Sequence, residues 1–345
     1  MRMIALNNGS TLSNFGRPYI VAEMNTSHNG KLELAKQMIA AAKECGCDCV
    51  KFQSWTERSL YSKTFYDANP LARRMVNHYS FSEEQLMELC EYCEEVGISF
   101  SSTPYAKGEV DFLADKCRAP YIKVASMDVN NYPFLTYIAK KGLPIVLSTG
   151  MADMEEIRRA VRTINEAGNH QICLLHCVAE YPPEMETIHL NNIHMLRREF
   201  PECPIGLSDH TPGWEIASAA VALGASLIEK HFTLDKRKPG WDNAMAMEPE
   251  EMRRLTESCH NVYTAMGTEE RVIAPGELEQ RKVMRRSIVA ARDLRAGEIL
   301  AEDDLDCKRP GTGMPPEFME KLVGVKILRD VSADEMLCES DIQLK

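Results

Sequence analysis

Two histidines carry the most specific chemical signal in this sequence. His210 ends the run Gly-Leu-Ser-Asp-His-Thr and His231 ends Ile-Glu-Lys-His-Phe-Thr, each at the close of an apolar stretch. On neighbouring parallel strands the two imidazoles would meet. Two imidazoles completed by water and substrate oxygens suit a divalent ion such as Mn2+ or Mg2+ used as a Lewis acid. His176, at the end of another apolar run, either extends that set or serves as a hydrogen-bond donor. Lys51 and Lys123 form a second signal, because they share their strand ends with Gln53, Thr103, Ser126, Ser148 and Thr149. Two ammonium groups among hydroxyl donors make a seat for a small anion bearing phosphate and carboxylate. A Schiff-base lysine is the rival chemistry. Glu23 could hold a sugar hydroxyl or assist a metal-bound water, or simply pair with a lysine of the same site. Asp242, in Pro-Gly-Trp-Asp-Asn, could bind a polyol, although aspartates in such turns are more often there to form the turn.

Stepping outward, the elements that must present these residues are short β-branched runs alternating with helical segments, the pattern of βα units around a parallel sheet. Strands are expected at 19–24, 49–53, 98–102, 121–125, 144–148, 172–177, 204–208 and 226–232. That is the number needed to close a (β/α)8 TIM barrel, whose strand ends converge on one mouth. Nearly every run ends in polar residues: Glu23 and Asn25; Lys51 and Gln53; Ser102 and Thr103; Lys123 and Ser126; Ser148 and Thr149; His176; Ser208, Asp209 and His210; Lys230 and His231. All are expected at the mouth. Ser82 with Gln85 and Asp153 with Glu156 read as capping boxes before helices, and Gly46, Gly97, Gly142, Gly168 and Gly224 read as their stops. The segment 55–80 is too long for an ordinary loop and is expected to form a lid or side wall. Its Arg73 and Arg74 fit a solvated helix face better than a phosphate contact.

At 345 residues, the chain has room for a barrel and a small second domain. We expect the barrel at 1–268, a linker at 269–283 and a β-rich domain at 284–345. The last of these carries an internal repeat: residues 293–305 are echoed by 330–342. A net charge of −11 argues against nucleic acid as a partner, and no run approaches a membrane span. The first residues lack the apolar core of a signal peptide, and the twelve cysteines lack zinc-site spacing. They read as structural thiols of a cytoplasmic protein.

Several motifs together resemble the sialic acid synthase family. They are Glu-Met-Asn-Thr-Ser-His-Asn-Gly (23–30), Val-Lys-Phe-Gln (50–53), Ser-Thr-Pro (102–104), Leu-Ser-Thr-Gly-Met (147–151), His-Cys-Val-Ala-Glu-Tyr-Pro (176–182), Gly-Leu-Ser-Asp-His-Thr (206–211) and Glu-Lys-His-Phe-Thr (229–233). Lys-Arg-Pro-Gly-Thr-Gly (308–313) is similar to that family's antifreeze-like domain, a β-clip fold. The resemblance covers nearly the whole chain in order.

The resemblance implies a condensation of phosphoenolpyruvate with an open-chain N-acylmannosamine-type sugar. C3 of phosphoenolpyruvate attacks the aldehyde, water adds at C2, and phosphate leaves by C–O cleavage. It also implies a divalent ion on His210 and His231. Lys51, Gln53, Thr103, Lys123, Ser126 and Ser148 would hold phosphoenolpyruvate, while Glu23, Tyr181 and Asp242 would face the sugar and metal. A domain-swapped homodimer is implied as well, in which one subunit's antifreeze-like domain caps its partner's barrel and Arg309 reaches the neighbouring sugar. One position departs from the pattern. Ala179 stands where the N-acetylneuraminate-forming members have asparagine, which leaves room for the diacetamido trideoxy sugars that give legionaminic or pseudaminic acid. The apolar run Ala244-Met-Ala-Met247 beside the expected sugar site would suit a deoxygenated substrate, and core packing explains it equally well. A Kdo- or DAHP-type synthase and a non-catalytic carbohydrate-binding barrel are the remaining alternatives. The antifreeze-like tail opposes the first, and the intact histidines and lysines oppose the second.

Overall fold

The computed structural model describes residues 3–343. They fall into two compact units that divide between Gly267 and Thr268. In the first, a hairpin of β1 (Met3–Ala5) and β2 (Thr11–Ser13) precedes the strands of a parallel sheet. These are β3 (Tyr19–Glu23), β4 (Cys49–Gln53), β5 (Ser99–Thr103), β6 (Ile122–Val124), β7 (Ile145–Ser148), β8 (Ile172–Cys177), β9 (Ile205–Asp209) and β10 (Leu227–His231). Ladders run in the order β5-β4-β3-β10-β9-β8-β7-β6. The first sheet strand thus pairs with the last, His231 opposite Glu23. β5 and β6 lie side by side at the remaining join, where the Ser101 hydroxyl donates to the Tyr121 carbonyl. The expected (β/α)8 barrel is present, each strand within a residue or two of its expected place.

Strand pleating divides these strands into two sets of side chains. Ala22, Val50, Phe100, Val124, Leu147, Leu174, Leu207 and Ile228 belong to the large core under the helices. Tyr19, Val21, Cys49, Tyr121, Val146, Cys173, Leu175 and Leu227 form a second core inside the barrel. Ile4, Leu6 and Leu12 of the hairpin join that inner core and close the barrel's N-terminal end. The hairpin was not expected, because three-residue strands show too little alternation to read.

Both capping boxes form: Ser82 accepts from the Gln85 N–H and Asp153 from the Glu156 N–H. Gly97 ends its helix in the left-handed region at φ 75°, where a side chain would be strained. The segment 55–80 folds as three short helices, Glu57–Leu60, Lys63–Ala68 and Pro70–Tyr79. Arg73 pairs there with Glu57 at 3.2 Å and stacks on Tyr66. No disulfide links the cysteines among the described residues.

The second unit begins with a difference from expectation. Part of the expected linker is a helix, Pro275–Met284. Pro275 and Gly276 read as breakers, but proline at the first helical position costs no backbone hydrogen bond and favours a helix start. Beyond it, β11 (Ser287–Ala290) pairs antiparallel with β12 (Leu305–Lys308) over a small core that includes Ile288, Leu300, Ile327 and Leu337. The two repeat copies mirror one another. Arg292 Nε donates to Asp304 at 2.7 Å, and Arg329 Nε donates to Asp341 at 2.6 Å. Asp293 accepts from the Ala333 N–H and Asp330 from the Ala296 N–H, each copy bonding the other.

Candidate active site

Inward alternation carries past the apolar layers to the C-terminal ends of the strands, where it sets polar side chains around one cavity of about 260 Å3. Glu23, Lys51, Gln53, Thr103, Lys123, Ser126, Ser148, Tyr181, His210, His231 and Asp242 all line it. The fold therefore brings together every expected site residue but one. Arg309 lies exposed just after β12, in the second unit.

At the cavity's floor, four buried charges interlock. Glu23 faces the Lys51 ammonium through Oε2, and its Oε1 accepts from Gln53 Nε2 at 2.9 Å and from the Asn25 N–H at 3.1 Å. Lys51 also donates to the Thr103 hydroxyl at 3.1 Å. Glu229 stands between the two cations, its Oε1 3.6 Å from Lys51 Nζ and 3.3 Å from Lys123 Nζ. Burial disfavours the Lys51 ammonium, yet Glu229 and Glu23 outweigh it and hold the group above the usual lysine value. Lys123 ends lower than usual: burial pulls it down, Glu229 offsets only part, and the nearby Lys51 charge adds to the drop. Burial raises Glu23 despite Lys51. Glu229, by contrast, is held low because Lys123 and Lys51 overcome its burial. The Ser148 hydroxyl is buried nearby with no hydrogen-bond partner among the described residues.

Across the cavity, the rings of His210 and His231 lie 5.3 Å apart between centroids at an interplanar angle of 57°. The Val178 carbonyl can only accept, so His210 Nδ1 must carry the proton it shares at 2.8 Å. That leaves the Nε2 lone pair free. The His231 ring makes no hydrogen bond with the described residues, and burial with the neighbouring His210 holds its pKa well below the usual value. Burial lowers His210 too. Both rings are thus neutral donors, the form a metal ion needs. Among the described residues no group of three His, Cys, Asp or Glu side chains is arranged to hold a metal. The pair fits an ion that takes its other ligands from water and substrate.

Aromatic and carboxylate groups line the outer part. Tyr181 packs on His210 at 4.2 Å, and Trp241 on Trp55 at 5.4 Å. Asp242 accepts from the Asn25 side-chain amide. Burial and the charge of Glu23 push its carboxyl up to about 6. Ala179 lines the same cavity. Ala244, Met245 and Met247 line a smaller adjoining cavity of about 220 Å3, which shares Tyr181, Trp241 and Asp242 with the first.

Five polar strand-end residues expected at the mouth are not in this cavity: one is Thr149, whose hydroxyl donates to the Leu175 carbonyl at 2.9 Å. Ser102 bonds Ser54, His176 donates from Nε2 to the Ile188 carbonyl at 2.6 Å, and Asp209 pairs with Lys230. Each sits one position from an inward residue, so the pleat turns it toward the helices. His176 accordingly does not extend the histidine pair. Asn25 and Ser208 line the cavity as expected of strand-end residues, while Tyr105 and Glu229 line it without having been expected there. Glu229 was legible: it lies two residues before His231, hence on the same face.

Residues 38–271 match the NeuB family and residues 285–343 match the SAF domain. The N,N'-diacetyllegionaminic acid synthase of Legionella pneumophila is 37% identical over 94% of this chain and 94% of its own. The N-acetylneuraminate-9-phosphate synthase of Homo sapiens is 36% identical over 93% of this chain and 91% of its own. Among solved structures, the N-acetylneuraminic acid synthetase of Leptospira borgpetersenii superposes with a TM-score of 0.74 at 30% identity. It covers 81% of this chain and 95% of the other.

Proposed function

Because the chain belongs to the NeuB family and carries a SAF domain, we propose that it is a nonulosonic acid synthase that condenses phosphoenolpyruvate with an N-acylated amino-hexose. One observation carries this reading: a single cavity gathers two buried lysines, a serine hydroxyl unpartnered among the described residues and two neutral imidazoles. The cationic side suits a phosphate with an adjoining carboxylate, held by Lys51, Lys123, Gln53, Thr103, Ser126 and Ser148. His210 and His231 would hold a divalent ion, which when bound polarises the sugar's aldehyde oxygen. Glu23 sits next to both regions, where it can orient a sugar hydroxyl or the water that adds at C2. The balance is then closed: a C–C bond forms at C3, C2 gains the water's oxygen, the aldehyde becomes an alcohol, and phosphate departs.

Tyr181 and Asp242 face the sugar in this reading. Ala179 offers the sugar no polar contact, and Met245 and Met247 give an apolar wall beside Asp242. These favour a deoxygenated diacetamido sugar, of legionaminate or pseudaminate type, over N-acetylmannosamine. The SAF unit would serve as a cap supplied by a second copy in a homodimer, bringing Arg309 to the partner's sugar and keeping bulk water out. We place the enzyme in the cytoplasm, in keeping with cysteines that form no disulfide among the described residues. No helix among the described residues is long and apolar enough to cross a membrane.

A phosphate-release assay tests the proposal, using phosphoenolpyruvate with N-acetylmannosamine, its 6-phosphate and diacetamido trideoxy hexoses. Sugar-dependent release is expected, greatest with a diacetamido sugar. No release with any N-acylated hexose would overturn it.

A further inference from the structure

Each histidine of the pair follows a charged residue that the pleat turns the other way. Asp209 precedes His210, Lys230 precedes His231, and the two are register partners across β9 and β10. Their side chains meet outside the barrel wall, Lys230 Nζ 2.7 Å from Asp209 Oδ2, each 2% exposed. Thr211, the residue after His210, completes the cluster. Its N–H and hydroxyl both donate to Asp209 Oδ1, at 2.9 and 2.8 Å. The Lys230 ammonium in turn donates to the Thr211 carbonyl and lies 3.4 Å from its hydroxyl. The residues on both sides of His210 are therefore tied to the residue that precedes His231.

Stability alone is a poor reason for such a cluster, since a buried ion pair is often no better than apolar side chains of similar volume. Its distinctive property is direction: the Lys230 contacts to Asp209 and Thr211 tie together the two backbone segments that carry the imidazoles, and the Thr211 bonds to Asp209 fix the turn around His210. We infer that Asp209, Lys230 and Thr211 form a clamp that sets the spacing and facing of His210 and His231, and so sets how tightly the site binds a divalent ion. None of the three lines the cavity, so they are positioning residues. The inference rests on the reading that the histidine pair holds the ion.

The test is a titration of the full chain with Mn2+, free ion being followed by electron paramagnetic resonance without substrates. Phosphoenolpyruvate binding is measured in parallel by calorimetry without metal, and folding by circular dichroism. Supporting groups around metal ligands commonly matter by about 10- to 100-fold in affinity. Asp209→Asn and Lys230→Met should weaken Mn2+ binding by about that factor, with phosphoenolpyruvate affinity changed less than about twofold. Thr211→Val keeps the ion pair and so guards against loss of fold. It should weaken Mn2+ binding by a smaller factor, roughly threefold. Wild-type Mn2+ affinity in folded Asp209→Asn and Thr211→Val, whatever their melting temperatures, would overturn the clamp. His231→Ala is the control for the underlying reading. If that substitution leaves Mn2+ binding intact, the ion is not held by the pair and both ideas fall. If it abolishes binding while the clamp variants bind normally, only the clamp falls.

Discussion

The barrel mouth and the SAF unit treat buried charge in opposite ways. In the SAF unit, Asp304 accepts from Arg292 and from the Ala301 N–H, and Asp341 accepts from Arg329 and from the Cys338 N–H. Both carboxylates are saturated by their own copy of the repeat, and the arrangement is closed. At the mouth, the Ser148 hydroxyl, Glu229 Oε2 and Asn25 Oδ1 are buried without hydrogen-bond partners among the described residues. Buried polar groups are normally satisfied, and leaving them so costs stability. A fold that satisfies its aspartates in one unit and leaves several groups unmet around one cavity in the other marks that cavity as built for a ligand.

The largest expected effect tests the mouth. His231→Ala should reduce phosphate release at least about 1000-fold, equivalent to roughly 4 kcal/mol of transition-state stabilisation. Its melting temperature should stay near that of the wild type, because the ring has no hydrogen bond with the described residues to lose. A melting temperature that falls in step with activity would erase the contrast. Next comes the SAF unit, where Asp341→Ala removes a buried carboxylate that accepts from Arg329, the Cys338 N–H and the Ser340 hydroxyl, and should cost about 2 kcal/mol in denaturant titration. It should leave the KM for phosphoenolpyruvate unchanged. Ser148→Ala should do the reverse, raising that KM about tenfold, or roughly 1.4 kcal/mol, without lowering the melting temperature.

The smallest effect separates the two regions by pH. Asp242, held near 6 by burial and Glu23, is ionised above that value and protonated below it. The KM for the sugar should therefore rise as pH falls through about 6, and Asp242→Asn should flatten the profile. Asp341 behaves oppositely: burial works against its carboxylate, but Arg329 and the Cys338 N–H hold its pKa below the usual value. Its contribution to stability is present above the unfolded value, about 3.9, and is lost only as pH falls through the lower folded value. Acid unfolding of the SAF unit near pH 6 would contradict that sign.

Much of this is legible in the sequence, because strand periodicity and polar strand ends are local signals. Apolar runs closing in His210, His231, Lys51 and Lys123 placed the barrel and its mouth together. Side-chain direction was not legible to the same degree. Asp209, Lys230, Ser102 and His176 look like mouth residues by position, yet one step along a pleated strand reverses facing. Glu229 has the right parity for the cavity, two residues before His231. The β1–β2 hairpin is too short to show alternation, and Pro275-Gly276 disguised a helix start as a break. Bonds between the repeat copies, such as Asp293 to Ala333, depend on a pseudo-symmetric packing that sequence similarity alone suggests only in outline.

The most direct measurement is turnover by the full chain, stripped of metal by a chelator and then restored with Mn2+, with released phosphate and product mass followed together. The account predicts that stripping stops sugar-dependent phosphate release and that Mn2+ restores it. The product should have the mass of the sugar plus phosphoenolpyruvate plus water minus phosphoric acid. Undiminished turnover in the stripped protein, or phosphate release without that product, would contradict it.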